Sequence, residues 1–346
     1  MESARTMVAA FKTILHGFLI GVASIIPGVS GGSMALALGI YERLIAAVGN
    51  IAFGTLSVVF EVATFRDGAR ERFRAEWRRI DGSFLTWIAA GGAVAVVVFS
   101  QVMVWLIEKW HDPTYGFFCG LILVSIWIPL NMIRRFGAIE GLSALAALGL
   151  VLVLTFSVDA EQQLEDANRK LEMKRASIEQ TTASQVGQAD AGRMVFLVLC
   201  GTIAISAMVL PGVSGSFIMI LMGVYFDVLQ AVNDRDPVII GLFVSGCVLG
   251  LLLFTRLLKR LLATFHDATI AFLTGLMAGS LVGLWPFRHF KTVGDVNVGL
   301  ERVDFGWIIP PIDANTLWTI LAFLIGSGLV VVFIKHDQAE AEKKGG

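Results

Sequence analysis

Charge is what this sequence has least of. Only 16% of its 346 residues are Asp, Glu, Lys or Arg, against about a quarter in an ordinary soluble domain. The 27 Lys and Arg nearly cancel the 28 Asp and Glu, leaving a formal net charge of −1. The basic surface that nucleic acid demands is therefore missing. Cysteine is scarce too: Cys119, Cys200 and Cys247 all fall in apolar segments without metal-ligand spacing. An odd count excludes complete intrachain pairing, and apolar packing is the role they suit. The histidines at 16, 111, 266, 289 and 336 do not gather near Ser30 or Ser214 in sequence, which argues against a nucleophile–base arrangement.

What the chain has in abundance is hydrophobicity, at 56% of residues. Continuous apolar runs at 84–108, 114–133, 141–158, 238–258, 268–285 and 317–334 approach the ~20 residues that cross a bilayer as a helix. They do not alternate, so the spans are helical and not a barrel. Two further apolar blocks, 8–48 and 193–232, carry the same pentapeptide, PGVSG, at 27–31 and 211–215. The N-terminal run lacks a small-x-small cleavage site before Pro27 and reads as mature structure, not as a leader.

Repetition extends well beyond the pentapeptide. At an offset of 184 residues (27 to 211), Gly17, Gly39, Tyr41, Ala47 and Val48 recur as Gly201, Gly223, Tyr225, Ala231 and Val232. At an offset of 155 (91 to 246), Gly91, Phe99, His111, Asp112, Thr114 and Gly120 recur as Gly246, Phe254, His266, Asp267, Thr269 and Gly275. The offset changes because the first half holds extra residues around an arginine-rich stretch, 66–79. The domain reading is repeat 1 at 1–158, a polar extracytoplasmic insert at 159–192, repeat 2 at 193–334 and a cytoplasmic tail at 335–346. Leu164, Leu171 and Ile178 recur every seventh residue in the insert, too few for a coiled coil.

Lys and Arg near span ends favour the cytoplasmic side. That rule puts 66–79, Arg134–Arg135, Arg256–Arg260 and the C-terminal lysines inside, with 159–192 and 233–237 outside. The assignments agree only if blocks 8–48 and 193–232 each return to the side they entered from. Each is then a re-entrant helical hairpin followed by three spans, an odd number, so the repeats are inverted. The expected fold is an all-α integral membrane protein of two inverted-topology repeats, both termini cytoplasmic, with hairpin tips opposed near the midplane.

Pro27, Gly28, Pro211 and Gly212 would form those tips, since proline removes a donor and glycine frees the turn. Behind them Ser30, Gly31, Gly32 and Ser33, and Ser214, Gly215 and Ser216, open helices whose first N–H groups attract anions, phosphate above all. These seven are the substrate-binding candidates. No lysine accompanies them, so a nucleotide P-loop is excluded. Close packing of small residues is the structural alternative. His16, Glu42, Arg43 and Asp227 are candidates for gating or proton coupling, because charge in a membrane is costly. Glu42 and Arg43 alternatively form a plain ion pair. His111-Asp112 and His266-Asp267 open spans, where the Asp suits either a helix cap or a proton relay. No catalytic residue, metal ligand or cofactor is assigned.

The segments IIPGVSGGSMALALGIYERLI and MVLPGVSGSFIMILMGVY resemble the two signature segments of the bacterial polyprenyl-phosphate transporter family. The likeness covers nearly the whole chain, with Ser33 standing where threonine is common. It implies a lipid-phosphate flippase of the bacterial inner membrane, returning undecaprenyl phosphate from the outer to the cytoplasmic leaflet, and no enzymatic activity. The residues alone leave open a carrier for a small water-soluble anion, a membrane lipid phosphatase and a glycine-packed scaffold. The coupling ion, with the proton a candidate, and homo-oligomer formation are also left open.

Overall fold

The computed structural model describes residues 2–25, 30–51, 53–64, 68–156, 191–295 and 299–345, with 164–165, 167–169 and 171–172 between them. Pro27, Gly28 and most of the 159–192 insert, Ile178 included, lie outside the described residues.

The chain begins with α1 (Glu2–Ile25), then two short helices, α2 (Gly31–Ala37) and α3 (Tyr41–Gly49). Helices α4 (Phe53–Ala63) and α5 (Ala69–Arg79) carry the arginine-rich stretch to α6 (Gly82–Lys109), α7 (His111–Ser125), α8 (Trp127–Met132) and α9 (Ala138–Phe156). The second half has the same order: α10 (Ala191–Val209), short α11 (Gly215–Leu221) and α12 (Tyr225–Asp234), long α13 (Pro237–Thr264) and α14 (His266–Gly283). Strands β1 (Arg288–Asp295) and β2 (Gly299–Trp307) precede α15 (Ala314–Gly345).

Among the described residues six segments are long and apolar enough to cross a membrane: Gly82–Phe99, His111–Met132, Ala138–Phe156, Gly192–Val209, Pro237–Thr264 and Ala314–Val332. The protein is a mostly helical, multi-pass membrane protein. The set differs from the sequence expectation at one place in each direction. The run at 268–285 does form a helix as far as Gly283, α14, but it is heavily buried, with Ile270, Leu273, Leu276 and Met277 sealed from solvent. A helix surrounded by protein can carry Thr274 and Ser280, both bonded to backbone of their own helix, at the cost of bulk hydropathy. Residues 192–209, part of one PGVSG block, are apolar enough to join the set.

Local chemistry explains the breaks. Asp236 caps α13 by accepting from Val238 N and Ile239 N at 2.8 and 3.2 Å, with Pro237 opening the helix, the arrangement a helix start favours. Gly39 and Gly223 (φ +68° and +71°) lie between α2 and α3 and between α11 and α12, a left-handed conformation that glycine adopts without strain. They are equivalent positions of the internal repetition.

Packing repeats as well. Helix α1 packs along α6, and α10 along α13. A Cβ on Gly17 would strike the Ile88 carbonyl, and one on Gly91 the Ile14 carbonyl; Gly201 against Phe243 and Gly246 against Val198 repeat the geometry. The third long helix of each half crosses over: α9 packs on α14, and α15 packs on α7. Here again Gly275 abuts the Ala144 carbonyl and Gly120 the Phe323 carbonyl. Small residues permit this close approach where van der Waals contact drives association.

The β hairpin is an element the all-α reading did not include. β1 and β2 pair antiparallel, from Arg288 opposite Trp307 to Asp295 opposite Gly299. Val303 is buried, and Trp307 packs on Phe156 at the end of α9 with ring centroids 5.4 Å apart. Arg288 donates to the Val282 and Gly283 carbonyls at 3.2 and 3.0 Å, satisfying the last turn of α14. The alternation Val303–Asp304–Phe305–Gly306–Trp307 was the available signal.

Candidate functional site

The two PGVSG motifs meet. Ser30 precedes α2 and caps it, its Oγ accepting from Gly32 N at 3.0 Å. The same hydroxyl donates to the Leu210 carbonyl at 3.1 Å, one residue before the second motif. Ser33 Oγ accepts from Gly212 N at 2.9 Å, and Tyr41 Oη donates to the Val209 carbonyl at 3.0 Å. A Cβ on Gly32 would come within 2.6 Å of the Val209 oxygen, so glycine is what lets the two backbones cross. Gly212 (φ +77°) turns the second motif, and a Cβ there would meet the Leu276 carbonyl of α14 at 2.5 Å. Ser30 and Ser33 are buried, whereas Ser214 is exposed and opens α11 in extended conformation. Gly31 packs against Ser24 Oγ and Gly215 against the Ala204 carbonyl; Ser216 is the second residue of α11.

Ionic groups lie at the two ends of the molecule, away from this crossing. Glu42 does not pair with Arg43. Its Oε1 lies 2.9 Å from His266 Nε2, and His266 Nδ1 lies 2.9 Å from Asp267 Oδ1. Arg43 instead bonds Asp81 at 2.7 Å and stacks over Phe84. The neighbouring carboxylates, Asp267 first, hold His266 above the usual histidine range despite partial burial. His266 in turn lowers Asp267. At the same end Arg256 donates to the Ile51 carbonyl at 2.6 Å and Lys259 to Asn50 at 2.5 Å, clamping α3 to α13.

The opposite end holds His111, 2.8 Å from Asp112, with Asn315 donating to Asp112 at 2.7 Å. Neither Asp112 nor Asp267 caps its own helix: Trp110 and Phe265 occupy the cap positions. The carboxylates instead hold their neighbouring histidines, because each follows its histidine inside the first turn. Asp227 pairs with Arg193 at 3.0 Å, and Arg169 of the insert lies over Phe226 of α12. His16 is buried within α1.

Beside the crossing lies a cavity of 810 Å³, bounded by α1, α2, α6, α7 and α15. Its walls are almost wholly apolar, and Thr114 and Ser125 bond to carbonyls of their own helix.

The family model described as VCA0040-like, undecaprenyl phosphate translocase-like, matches residues 20–302. That interval contains both motifs, both histidine–aspartate pairs and most of the cavity wall. The chain belongs to this family. It is 33% identical over 278 residues to a polyprenyl-phosphate transporter of Vibrio cholerae, covering 80% of this chain and 78% of that protein. It is 26% identical over 283 residues to a polyprenyl-phosphate transporter of Staphylococcus aureus, covering 79% of this chain and 85% of that one. No solved structure matches. The named relatives are transporters, in keeping with a chain read as a non-enzyme.

Within this family member, sequence reasoning found the motifs that meet but missed what holds them. The serines engage the opposite backbone, and His266 is the partner of Glu42 across 224 positions. The repeated His-Asp dipeptide was the only signal for the latter.

Proposed function

We propose that the chain carries polyprenyl phosphate, undecaprenyl phosphate in particular, between the leaflets of the bacterial inner membrane by alternating access, and that the phosphate is taken up where the two PGVSG motifs cross. The observation that carries this reading is the pair of bonds from Ser30 and Ser33 to Leu210 and Gly212. They join the first turn of α2 to the turn that leads into α11 in the other half of the chain, and amides at such helix starts attract an anion. Gly31, Gly32, Gly215, Ser214 and Ser216 complete the binding set, with Pro27, Gly28, Pro211 and Gly212 as the turns. Since Ser30 both donates and accepts within the protein, backbone N–H groups supply most of the phosphate contacts.

The tips are re-entrant in this proposal, and the halves 1–158 and 193–334 are inverted repeats. Gly21 of α1 packs against Ala95, the middle of the 28-residue α6, and α1 ends at Ile25. Ile205 of α10 likewise packs at Gly250, the middle of the 28-residue α13, and α10 ends at Val209. The helix leading to each motif thereby ends just past the centre of a membrane-length neighbour.

The ends of the molecule are closed unequally. The α3 end is clamped to α13 of the other half by Arg256 and Lys259 and to the start of α14 by His266, and the arginine bias makes this the cytoplasmic end. The equivalent helix α12 lies on α13 of its own half, and the cavity reaches Trp105, Trp110 and Pro113, where α6 ends and α7 begins on the side away from that clamp. The conformation is therefore outward-open, ready to take lipid phosphate from the outer leaflet. Glu42, Arg43, Asp227 and His16 remain the gating and proton-coupling candidates, joined by His266.

The test is purified protein in liposomes with labelled undecaprenyl phosphate in the outer leaflet. Loss of label from that leaflet is expected. Absence of translocation, release of inorganic phosphate, or uptake of a soluble anion in its place would overturn the reading.

A further inference from the structure

We infer that the 810 Å³ cavity beside the crossing is the seat of the substrate's isoprenoid chain, open sideways to the lipid, and that this binding contributes to recognition. The inference rests on the proposed lipid-phosphate transport.

The wall chemistry excludes a head group. Thr114 and Ser125 are the hydroxyl-bearing residues on the wall, and both donate to Trp110 and Leu121 carbonyls at 2.7 Å within their own helix. Among the described residues no Asp, Glu, Lys, Arg or His lines it. An anion placed there would lose its hydration without a partner, so the occupant is hydrocarbon.

The wall is also unusually aromatic. Phe18 and Phe99 meet edge to face with centroids 5.8 Å apart, and Phe117 and Phe118 at 5.1 Å. Met34 and Met103 complete the inner surface. Aromatic edges and adaptable thioethers suit a branched, unsaturated chain that must slide as well as bind. The volume lies in the upper part of the range for small-molecule pockets, about 300–1,000 Å³. It accommodates several isoprene units while the rest of a long tail stays in the bilayer.

Placement ties this seat to the phosphate. Met34 and Ala37 belong to α2, the helix that opens at Ser30, so the groove starts within about a turn of the crossing. At the other end Trp105 and Trp110 close α6 and Trp318 lies near the start of α15, with 52, 40 and 52% of their surface exposed. Tryptophans at that level mark a membrane interface. Ile325 and Leu329, more than half exposed, form the lateral lip through which a chain enters from the acyl layer.

The repetition adds a consequence. Helix α3 packs on α13 at Thr255, where Gly49 abuts its carbonyl; at the offset of 155 the equivalent residue of α6 is Ser100, beside Phe99 of the groove. Helix α12, the counterpart of α3, would fill the groove when the outer end closes, and so expel the tail as the head group passes inward.

The experiment uses undecaprenyl phosphate bearing a photoreactive diazirine in its isoprenoid chain, added to the full-length protein in liposomes. Labelling is expected on α6, α7 and α15 residues of the groove, displaced by unlabelled undecaprenyl phosphate and not by equal phosphatidylglycerol. Leu121→Trp, which fills the groove, should lower both labelling and translocation about tenfold or more, given what overfilling a packed space costs. Ile325→Trp at the exposed lip should do the same without burdening the core. Labelling spread evenly over lipid-facing helices, equal displacement by phosphatidylglycerol, or unaltered translocation by both folded variants overturns the groove. Translocation without groove labelling would refute the seat alone, whereas groove labelling without translocation would refute the transport reading.

Discussion

Removing the Ser33 hydroxyl separates two roles for the crossing. Ser33 is 1% exposed, and its Oγ is the acceptor for Gly212 N at 2.9 Å. Ser33→Ala leaves that amide without its partner at a buried junction, costing about 1–3 kcal/mol. Ser30→Ala removes the donor to the Leu210 carbonyl and the acceptor for Gly32 N, with a cost of similar order. The two sites share one junction, so the double variant should lose somewhat less than the sum. Against the ~5–15 kcal/mol that holds a typical fold, either single loss lowers the melting temperature by a few degrees. Ser214→Ala provides the contrast: Ser214 is exposed, and surface changes stay within about 0.5 kcal/mol. The assay is thermal unfolding of purified protein in detergent, paired with translocation in liposomes. A Ser33→Ala protein with wild-type melting temperature and no transport would refute the reasoning. It would mean that the hydroxyl serves the phosphate and not the joint between the halves.

Gly91→Leu should block the α1–α6 contact, because even a Cβ there strikes the Ile14 carbonyl; the loss exceeds the ~1–3 kcal/mol of ordinary overpacking and shows as reduced protein level and melting temperature. Stability should also respond to pH through His266. Its folded pKa is raised by Asp267 and Glu42, so its contribution is fully present below the ordinary value near 6.5 and fades as pH rises through the raised one. Melting temperature followed across neutral to mildly alkaline pH should fall in the wild type more steeply than in His266→Gln. An equal slope would remove His266 from the clamp with Glu42. Cysteines replacing exposed Arg78 and Asp234 should react with impermeant reagents from the cytoplasm and from outside respectively; the reverse pattern would invert the proposed orientation.

Much of the architecture was legible because hydropathy records the solvent of each segment. Helices α6, α7, α9, α13 and α15 stand where the apolar runs predicted them. Gly17, Gly91, Gly201 and Gly246, matched by offset alone, proved to be the contact points of equivalent helix pairs. The β hairpin was not legible, since its short alternation lies among charged residues, as in a loop. The alternative of a plain Glu42–Arg43 pair is not what forms, for a geometric reason: neighbours on a helix point about 100° apart, so each found a partner on another element.

Composition and repetition by themselves determined that this chain lives in a bilayer, is built twice over and holds a proline–glycine break in each half. They do so because the bilayer imposes length and apolarity on every crossing, and duplication preserves residue type at fixed spacing. Only the tertiary structure decided that Ser30 and Ser33 engage Leu210 and Gly212, that each half lends its last long helix to the other, and that Glu42 reaches His266. Those outcomes depend on side chains meeting across hundreds of positions, where shape and hydrogen-bond direction choose the partner and no local pattern records the choice.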